Sequence, residues 1–407
     1  MTKEFVFDKK EFDKWEIQKD ENNNPILVSY KDTQNKTLYV PNQADLAPFG
    51  VTGKVKIPVN NLNWQCENRE NVIISNKDNK KVGLFSPDGK HYTYGLFSHE
   101  GKATLKKIDL RGLDISKITN LDHLFYGQKE LESINMEGID TSNVTLMQST
   151  FAHTPNLKEV KGLENLDTSN VKYMDSIFLN SGIKNLDISN WNTRSLVSAR
   201  EAFKNMNFKN LDLSNWNFSH VTDTTKMFKN STGTISLPKS GANSLKVADS
   251  MFENSDLIIE NMDKFKMPKL LTAISMFSDC PYHWEVAQVD NPMQLAINNI
   301  GNNLENTMNM FAGVWNTNEN HELDISKLNL SKAKNTNFMF AKAKFKIEGL
   351  KQLRINNKCN IDYTKLHLKM LIYQRFAPLR PRKIVPKLCQ LSKKGCEKML
   401  YIVNVLI

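Results

Sequence analysis

The chain has 407 residues, 40% of them apolar and 24% charged, a composition that favours a folded protein with a substantial core. Its formal net charge of +10 is concentrated at one end: residues 364–407 hold ten Lys or Arg and one Glu, which leaves a net charge of +1 for residues 1–363. The balanced body gives no reason to expect nucleic-acid binding, and no stretch approaches the roughly 20 apolar residues of a membrane-spanning helix.

Residues 1–100 are predicted to form a small β-rich domain or an N-terminal cap. The segments PILVSY, KTLYVP and KVKIPV favour short strands, and Asn-rich turns separate them. The first fifteen residues are charged throughout and lack the apolar core of a secretory signal. This indicates either a cytoplasmic protein or an exported one whose leader is missing from this chain.

Residues 101–363 carry a repeat of about 25 residues that is most visible at one aromatic position, which we call the anchor. Apolar or small residues recur seven, four and one positions before the anchor, a spacing that predicts one face of a short helix. Ser116, Ser142 and Ser169, each nine positions before an anchor, are predicted N-caps of that helix. The anchors are Phe125, Phe151, Phe178, Phe203, Phe228, Phe252, Phe277, Phe311 and Phe340.

A second pattern, L-x-x-L-x-L-x-x-φ with φ apolar, lies upstream of the predicted helix and indicates a short strand. A unit of strand, turn and short helix cannot bury its apolar face alone, so neighbouring units are expected to stack. The predicted fold class is therefore α/β, a solenoid of short strand–turn–helix units. The 34-residue interval between Phe277 and Phe311 predicts an insertion at about 280–300.

Residues 364–407 differ abruptly from the body, because the repeat ends, Asn becomes rare, and Lys, Arg, Pro and Leu dominate. One interpretation is a basic tail that binds anionic surfaces. The other, which we favour, is that the reading frame or the gene was interrupted here and the tail is not native sequence. A terminal solenoid cap needs a polar face, whereas this tail ends in YIVNVLI.

The repeats LDTSNVKYMDSIF, LDISNWNTRSLVSAREAF and LDLSNWNFSHVTDTTKMF resemble the BspA-like leucine-rich repeats of bacterial surface proteins, whose pattern is approximately LxSLDLSNFDTSNVTDMSxMFxxC. The match covers about residues 101–350. The segment WEIQ…YVPNQADL is similar to the one that precedes such repeats in lactobacillus-type surface proteins. The resemblance implies a leucine-rich-repeat-like solenoid and an exported, cell-surface protein that binds host matrix, mucus or neighbouring cells, although this chain shows neither a signal peptide nor a wall anchor.

The residues between the two strand leucines are predicted to line one exposed face of the stacked strands, the usual ligand surface of a solenoid. Neighbouring coils would place Asp187 and Asp212 about 5 Å apart, a repulsion that needs a partner, water or a cation. A merely solvated face is the alternative. The predicted ligand-binding face consists of Asp109, Asn135, Asp187, Asp212 and Asp324.

The other recurring residues are assigned structural roles. The Asp or Asn eleven positions before each anchor is expected to bond turn backbone, with a cation-binding ladder as the alternative. Trp191 and Trp216 replace aliphatic residues of other coils, and this predicts core positions rather than a platform that stacks a sugar or peptide. The Met-Phe pairs at the anchors are interpreted as helix packing.

No catalytic, metal or cofactor site is predicted. The five cysteines form no CxxC, the eight histidines share no ligand spacing, and the adjacent Ser98, His99 and Glu100 cannot form a triad. The chain is interpreted as a non-enzymatic surface interaction or adhesion protein whose partners are host or bacterial surface proteins or glycans. An intracellular protein–protein scaffold built on the same repeats is the alternative. An enzyme with its activity in residues 1–100 or in the insertion is a third hypothesis.

Overall fold

The computed structural model describes residues 5–87, 89, 93, 95–98, 104–281, 291–315, 322–349 and 352–356. The chain divides into two compact units. Unit 1 comprises Met1–Leu196 with Ala202–Trp216, and unit 2 comprises Val197–Glu201 with Asn217–Ile407. The predicted tail at 364–407 and residues 282–290 of the predicted insertion lie outside the described residues.

Unit 1 is a β-solenoid whose described residues contain few helices. Its strands pair in parallel from coil to coil, except that β1 and β2 form an antiparallel hairpin. The α-helices are α1 (Lys9–Phe12), α2 (Gln43–Leu46) and α3 (Val59–Gln65), with 3-10 turns at Ala47–Phe49, Lys77–Asn79 and Leu163–Asn165. The strands are β1 (Trp15–Lys19), β2 (Pro25–Tyr30), β3 (Thr37–Val40), β4 (Lys56–Pro58), β5 (Asn71–Ile74), β6 (Val82–Phe85), β7 (Lys107–Asp109), β8 (Leu113–Asp114), β9 (Ser133–Asn135), β10 (Glu159–Lys161) and β11 (Asn207–Asp212).

Two five-stranded sheets run along unit 1, in the orders β1-β2-β4-β6-β8 and β3-β5-β7-β9-β10. In the second sheet, Leu38, Val72, Ile108, Ile134 and Val160 lie in register and form one buried row. Because β3 and β5 precede residue 100 and β7 follows it, this sheet crosses the boundary predicted at residue 100 without a break. The stacked coils begin before the sequence repeat becomes visible, and the division into domains at that residue stays a prediction.

The anchors of unit 1 form a stack of buried rings. Phe97, which the sequence pattern missed, begins the stack 5.5 Å from Phe125. The rings of Phe151, Phe178 and Phe203 follow, with centroid separations of 5.5, 5.2 and 5.9 Å along the series. These separations are slightly larger than the 4.7–4.9 Å or so between paired strands, so each coil contributes one ring to a continuous aromatic column.

Unit 2 is built on the same principle. Its strands also pair in parallel, and its rings stack with centroid separations from 5.3 to 5.9 Å. The strands are β12 (Thr232–Ser236), β13 (Asp256–Glu260), β14 (Glu322–Asp324), β15 (Asn329–Leu330), β16 (Lys346–Glu348) and β17 (Arg354–Ile355). The stacked anchors are Phe228, Phe252, Phe277, Phe311 and Phe340.

One α-helix is found in the described residues of unit 2, α4 (Pro292–Asn299), and it lies within the insertion predicted at about 280–300. Its N-cap is Asn291, whose side chain accepts hydrogen bonds from the N–H groups of Met293 and Gln294. Pro292 occupies the first helical position, where its missing N–H has no cost.

The helix predicted before each anchor is wrong: over the ten residues that end at each of the nine anchors, the chain forms turns and single β-bridges. In the coil of Phe125, the N–H groups of Leu121, His123, Phe125 and Gly127 donate to carbonyls of the next coil at 2.9–3.0 Å. Between them, the N–H groups of Leu124 and Tyr126 donate three residues back at 3.2 and 3.1 Å, and that of Asp122 donates to the Asn120 side-chain oxygen at 2.6 Å. An α-helix would direct every N–H four residues back within its own coil.

Two left-handed residues in each coil make this path possible. They lie two positions before and two positions after the anchor, and in the coil of Phe178 they are Ser176 (φ +57°) and Asn180 (φ +55°). The two turns place buried side chains at intervals of three and four residues, which is the spacing that predicted a helix. Asn, Gly, Asp and His tolerate positive φ better than other residues, and this explains their recurrence two positions after the anchor.

The motif Asp-Thr-Ser-Asn-Val at 167–171 closes a turn and connects its coil to both neighbours. Asp167 Oδ1 accepts a hydrogen bond from the N–H of Ser169 at 2.9 Å, which confirms the turn-bonding role predicted for this Asp. The Thr168 hydroxyl donates to a carbonyl of the following coil at 3.1 Å, and the Asn170 amide donates to one of the preceding coil at 2.8 Å. Val171 is fully buried. The N-cap role predicted for Ser169 is wrong, because no helix follows it.

None of the helices in the described ranges has the length and apolarity needed to span a lipid bilayer.

Candidate functional site

Four residues of the predicted ligand-binding face end a strand, Asp187 lies two residues after the isolated bridge at Asn185, and each of the five closes a turn. Asp187 Oδ1 accepts hydrogen bonds from the N–H and the hydroxyl of Ser189 at 3.4 and 2.9 Å. Asp212 Oδ1 accepts the N–H of Ser214 at 2.8 Å. These are Asx turns, in which a short carboxylate replaces a backbone acceptor, and they account for the repeated Asp-x-Ser.

Three members of the predicted face differ in how their polar atoms are engaged. The Arg111 guanidinium binds both carboxylate oxygens of Asp109 at 2.7–3.2 Å, and this ion pair raises the pKa of Arg111. Ser326 binds both oxygens of Asp324, through its N–H at 2.8 Å and its hydroxyl at 2.9 Å. The side-chain oxygen of Asn135 accepts the N–H of Glu137 at 3.0 Å. The two Asp side chains of this group are therefore satisfied within their own turns.

Asp187 and Asp212 are brought together in an open depression of about 270 Å³ on unit 1. Two nearly identical octapeptides form it, KNLDISNW at 184–191 and KNLDLSNW at 209–216, and a parallel bridge between Asn185 and Asn210 joins them. The residues that line the depression are Asn185, Leu186, Asp187, Ser189, Lys209, Asn210 and Asp212. Lys209 is the one basic residue in this lining.

Several polar groups in this depression are uncommitted. Within the described residues, the Oδ2 atoms of Asp187 and Asp212 accept no hydrogen bond. The side-chain amides of Asn185 and Asn210 and the ammonium of Lys209 also make no hydrogen bond or ion pair with any described residue. The depression therefore offers acceptors and donors side by side, in two copies, to whatever enters it.

Trp191 and Trp216 lie beneath this surface in the core, where the sequence predicted them, and they are only 2% and 1% exposed. Their rings stack at 6.1 Å. Each indole N–H donates to a backbone carbonyl of the preceding coil, to Leu163 at 2.9 Å and to Ile188 at 3.0 Å. Neither ring is available to a ligand in this arrangement.

Sequence reasoning missed a ladder of rings and amides on the turn side of unit 1. The ring of Tyr126 lies 5.1 Å from that of His123 and 5.1 Å from that of His153, and the Asn180 amide lies 3.1 Å from His153 Nδ1. Burial, with a smaller contribution from neighbouring lysines, lowers the pKa of His153. The repeat position could have revealed this ladder, because His153 and Asn180 both lie two residues after an anchor.

Sequence reasoning also missed one buried and one half-buried carboxylate. Asp122 in unit 1 and Asp249 in unit 2 lie three residues before their anchors, and burial raises the pKa of each. Asp122 Oδ1 accepts the N–H of Gln148 at 2.6 Å, and Asp249 Oδ1 accepts that of Ile274 at 2.8 Å. Both carboxylates thus join one coil to the next and are part of the scaffold.

Nothing in the described part of the chain assembles a reactive centre. No group of three or more His, Cys, Asp or Glu side chains among those residues could hold a metal ion. Cys66 and Cys280 are buried free thiols, and burial raises the pKa of Cys280 to about 12, which makes it a poor nucleophile. Of the three residues considered as a triad, His99 and Glu100 lie outside the described residues.

The geometry defines a class of protein, a repeat-built β-solenoid whose buried residues join the coils and whose strand ends carry polar side chains. The chain belongs to the family described as "Mycoplasma protein of unknown function, DUF285". The family profile matches residues 94–205, 119–240, 147–265, 183–289 and 210–314, which together span more than half of the chain. Successive matches begin 25 to 36 residues apart, as expected when a repeat aligns with itself in several registers.

Two solved structures are similar to this chain. A leucine-rich repeat protein from Bacteroides ovatus is 12% identical with a TM-score of 0.36, and the match covers 88% of this chain and 78% of that one. A leucine-rich cell surface protein from Faecalibacterium prausnitzii is 10% identical with a TM-score of 0.24, covering 88% and 95% of the two chains. No curated protein matches the sequence.

Proposed function

We propose that this is a non-enzymatic interaction protein that binds ligands on host or bacterial cell surfaces through the outward side chains of its stacked strands. The observation that carries the proposal is the alternation along those strands. In β7 and β10 of unit 1, Ile108 and Val160 are buried, whereas Lys107, Asp109 and Lys161 point outward on either side of them. Repetition over several coils produces an extended polar surface, on which many weak contacts add up without a deep pocket.

The packing supports this proposal by elimination. The recurring Phe and Trp side chains and the Thr and Asn of the motif Thr-Ser-Asn-Val are committed to the core or to bonds between coils, which leaves the outward strand residues for recognition. The BspA-like repeat motifs and the lactobacillus-type N-terminal segment support a cell-surface or secreted location, with mucus, matrix proteins and neighbouring cells as candidate ligands.

The test measures binding of the full-length chain to immobilised mucin, to matrix proteins and to intact bacterial and epithelial cells by surface plasmon resonance and flow cytometry. The variant K107E/K161E reverses two charges on the outward strand face, and K117E/K172E makes the same change at exposed turn positions as a matched control. We expect saturable binding that only the first variant weakens by tenfold or more. Absence of binding to every surface, or equal effects of the two variants, would refute the proposal.

A further inference from the structure

We infer that the depression formed by the two octapeptides is a subsite for a neutral saccharide. The inference rests on the proposed function and deepens it, because it names the class of ligand and the residues that contact it. The depression is distinguished from the rest of the predicted face by its uncommitted groups: Asp109 and Asp324 are bonded through both oxygens, whereas Asp187 and Asp212 each leave Oδ2 available.

Repetition sets the spacing of these groups. Asn185 and Asn210 face each other across a parallel bridge, so equivalent atoms of the two octapeptides lie about 4.8 Å apart, the separation of paired strands. A pyranose ring carries hydroxyl groups around its rim and can reach both copies at once. The depression is open, so a sugar within a longer chain can enter without its neighbours being excluded.

The chemistry of the lining matches hydroxyl groups. A hydroxyl donates one hydrogen bond and accepts up to two, and here each carboxylate acceptor has an amide donor two residues away in the same octapeptide. A hydroxyl can thus donate to Asp187 Oδ2 while it accepts from the Asn185 amide, and the second octapeptide repeats the arrangement. Bonds to carboxylates are charge-assisted and stronger than those between neutral groups.

Other ligand classes fit less well. Calcium takes six to eight oxygen ligands, whereas the lining contains two carboxylates and one basic residue, Lys209. An apolar ligand would find only Leu186 in the lining, because Trp191 and Trp216 are buried below. A neutral ligand rich in hydroxyls uses the donors and the acceptors together.

The test is titration of the full-length chain with free N-acetyllactosamine, mannotriose and chitotetraose, followed by calorimetry and saturation-transfer NMR, with calcium chloride titrated separately. D187S/D212S removes both available oxygens while Ser can still close the turns. D324S is the matched control, since Asp324 has the same repeat position but no available oxygen. We expect at least one saccharide to bind wild type and D324S equally and D187S/D212S at least tenfold more weakly.

A second variant, N185A/N210A, tests the same subsite without altering the carboxylate turns, and a urea midpoint equal to that of wild type shows that each variant is folded. Absence of saccharide binding, equal binding by D187S/D212S, or saturable calcium binding in place of saccharide binding would overturn the inference. Retention of mucin or cell binding in that case would leave the proposed function standing, because that binding is tested by the separate variant K107E/K161E.

Discussion

Substitution of Ser176 by Ala and by Gly distinguishes the observed left-handed turn from the helix that the sequence predicts. Ser176 has φ +57° and lies two residues before Phe178, and its side chain makes no hydrogen bond with any described residue. The two substitutions therefore report on backbone conformation rather than on a lost contact.

The expected difference in stability between S176G and S176A has opposite signs in the left-handed turn and in the helix. A left-handed residue with a Cβ costs about 1–2 kcal/mol, and the extra freedom of Gly in the unfolded chain costs about 0.5–1 kcal/mol. In the observed turn, S176G should therefore be more stable than S176A by up to about 1 kcal/mol. In an α-helix, Ala is favoured over Gly by about 1 kcal/mol, so the order would reverse.

The assay is urea unfolding followed by the fluorescence of the buried tryptophans, of which Trp191 lies 6.1 Å from the Phe178 ring. Lys172, exposed in the same coil and without positive φ, provides the matched control, and there K172A should be more stable than K172G. A higher free energy of unfolding for S176A than for S176G would refute the turn assignment.

Three further predictions concern the core. F178A should lower the free energy of unfolding in urea by about 3–5 kcal/mol. Y173A, at a site 38% exposed in the same coil, should lower it by about 1 kcal/mol or less. Equal losses for the two variants would contradict the ring stack. Cys280 should resist alkylation up to pH 9 as long as the chain is folded, and peptide mass spectrometry after alkylation tests this. Alkylated Cys280 in the folded chain would contradict the prediction. The pKa of His153 is lowered in the fold, so on acidification the unfolded chain takes up a proton before the folded chain does. The free energy of unfolding should therefore fall as the pH drops below about 6.5. Urea midpoints measured across this pH range should depend less on pH in H153N than in wild type.

The sequence predicts the stacked architecture well because every coil needs the same kinds of buried and turn-forming residues. A buried ring such as Phe178 is needed once per coil, and so are the strand leucines and the Thr of the motif at 167–171, so each of these residues recurs periodically in the sequence. The periodic pattern is weaker in the first coils. Leu38, Val72 and Ile108 are in register but 34 and 36 residues apart, longer than the repeat of about 25, and within the described residues the ring stack begins only at Phe97.

The helix was mispredicted because spacing alone does not distinguish a helix from two turns. Both place buried residues three and four positions apart, and the difference lies in the sign of φ at Ser176 and Asn180. Composition carried that information: Asn, Asp or Gly follows most anchors by two residues, where a helix would favour Ala or Leu.

The candidate site was partly predictable for a related reason. The strand-end positions were visible as Asp-x-Ser, but whether a carboxylate stays available depends on what it contacts. At the equivalent position two residues later, Arg111 binds both oxygens of Asp109, whereas Ser189 binds only one oxygen of Asp187. The depression itself follows from the coincidence of two identical Asn-Leu-Asp segments on adjacent coils.

The left-handed turns also bear on chemical ageing. Asn180, Asn230 and Asn254 each precede a serine, a dipeptide prone to deamidation because the nitrogen of the following residue attacks the side-chain amide. Here the serine nitrogens are held, since their N–H groups donate to the anchor carbonyls at 3.0–3.2 Å. The fold that selects Asn for its conformation thus shields it from succinimide formation, and these sites should convert to aspartate only in chains that have lost their turns.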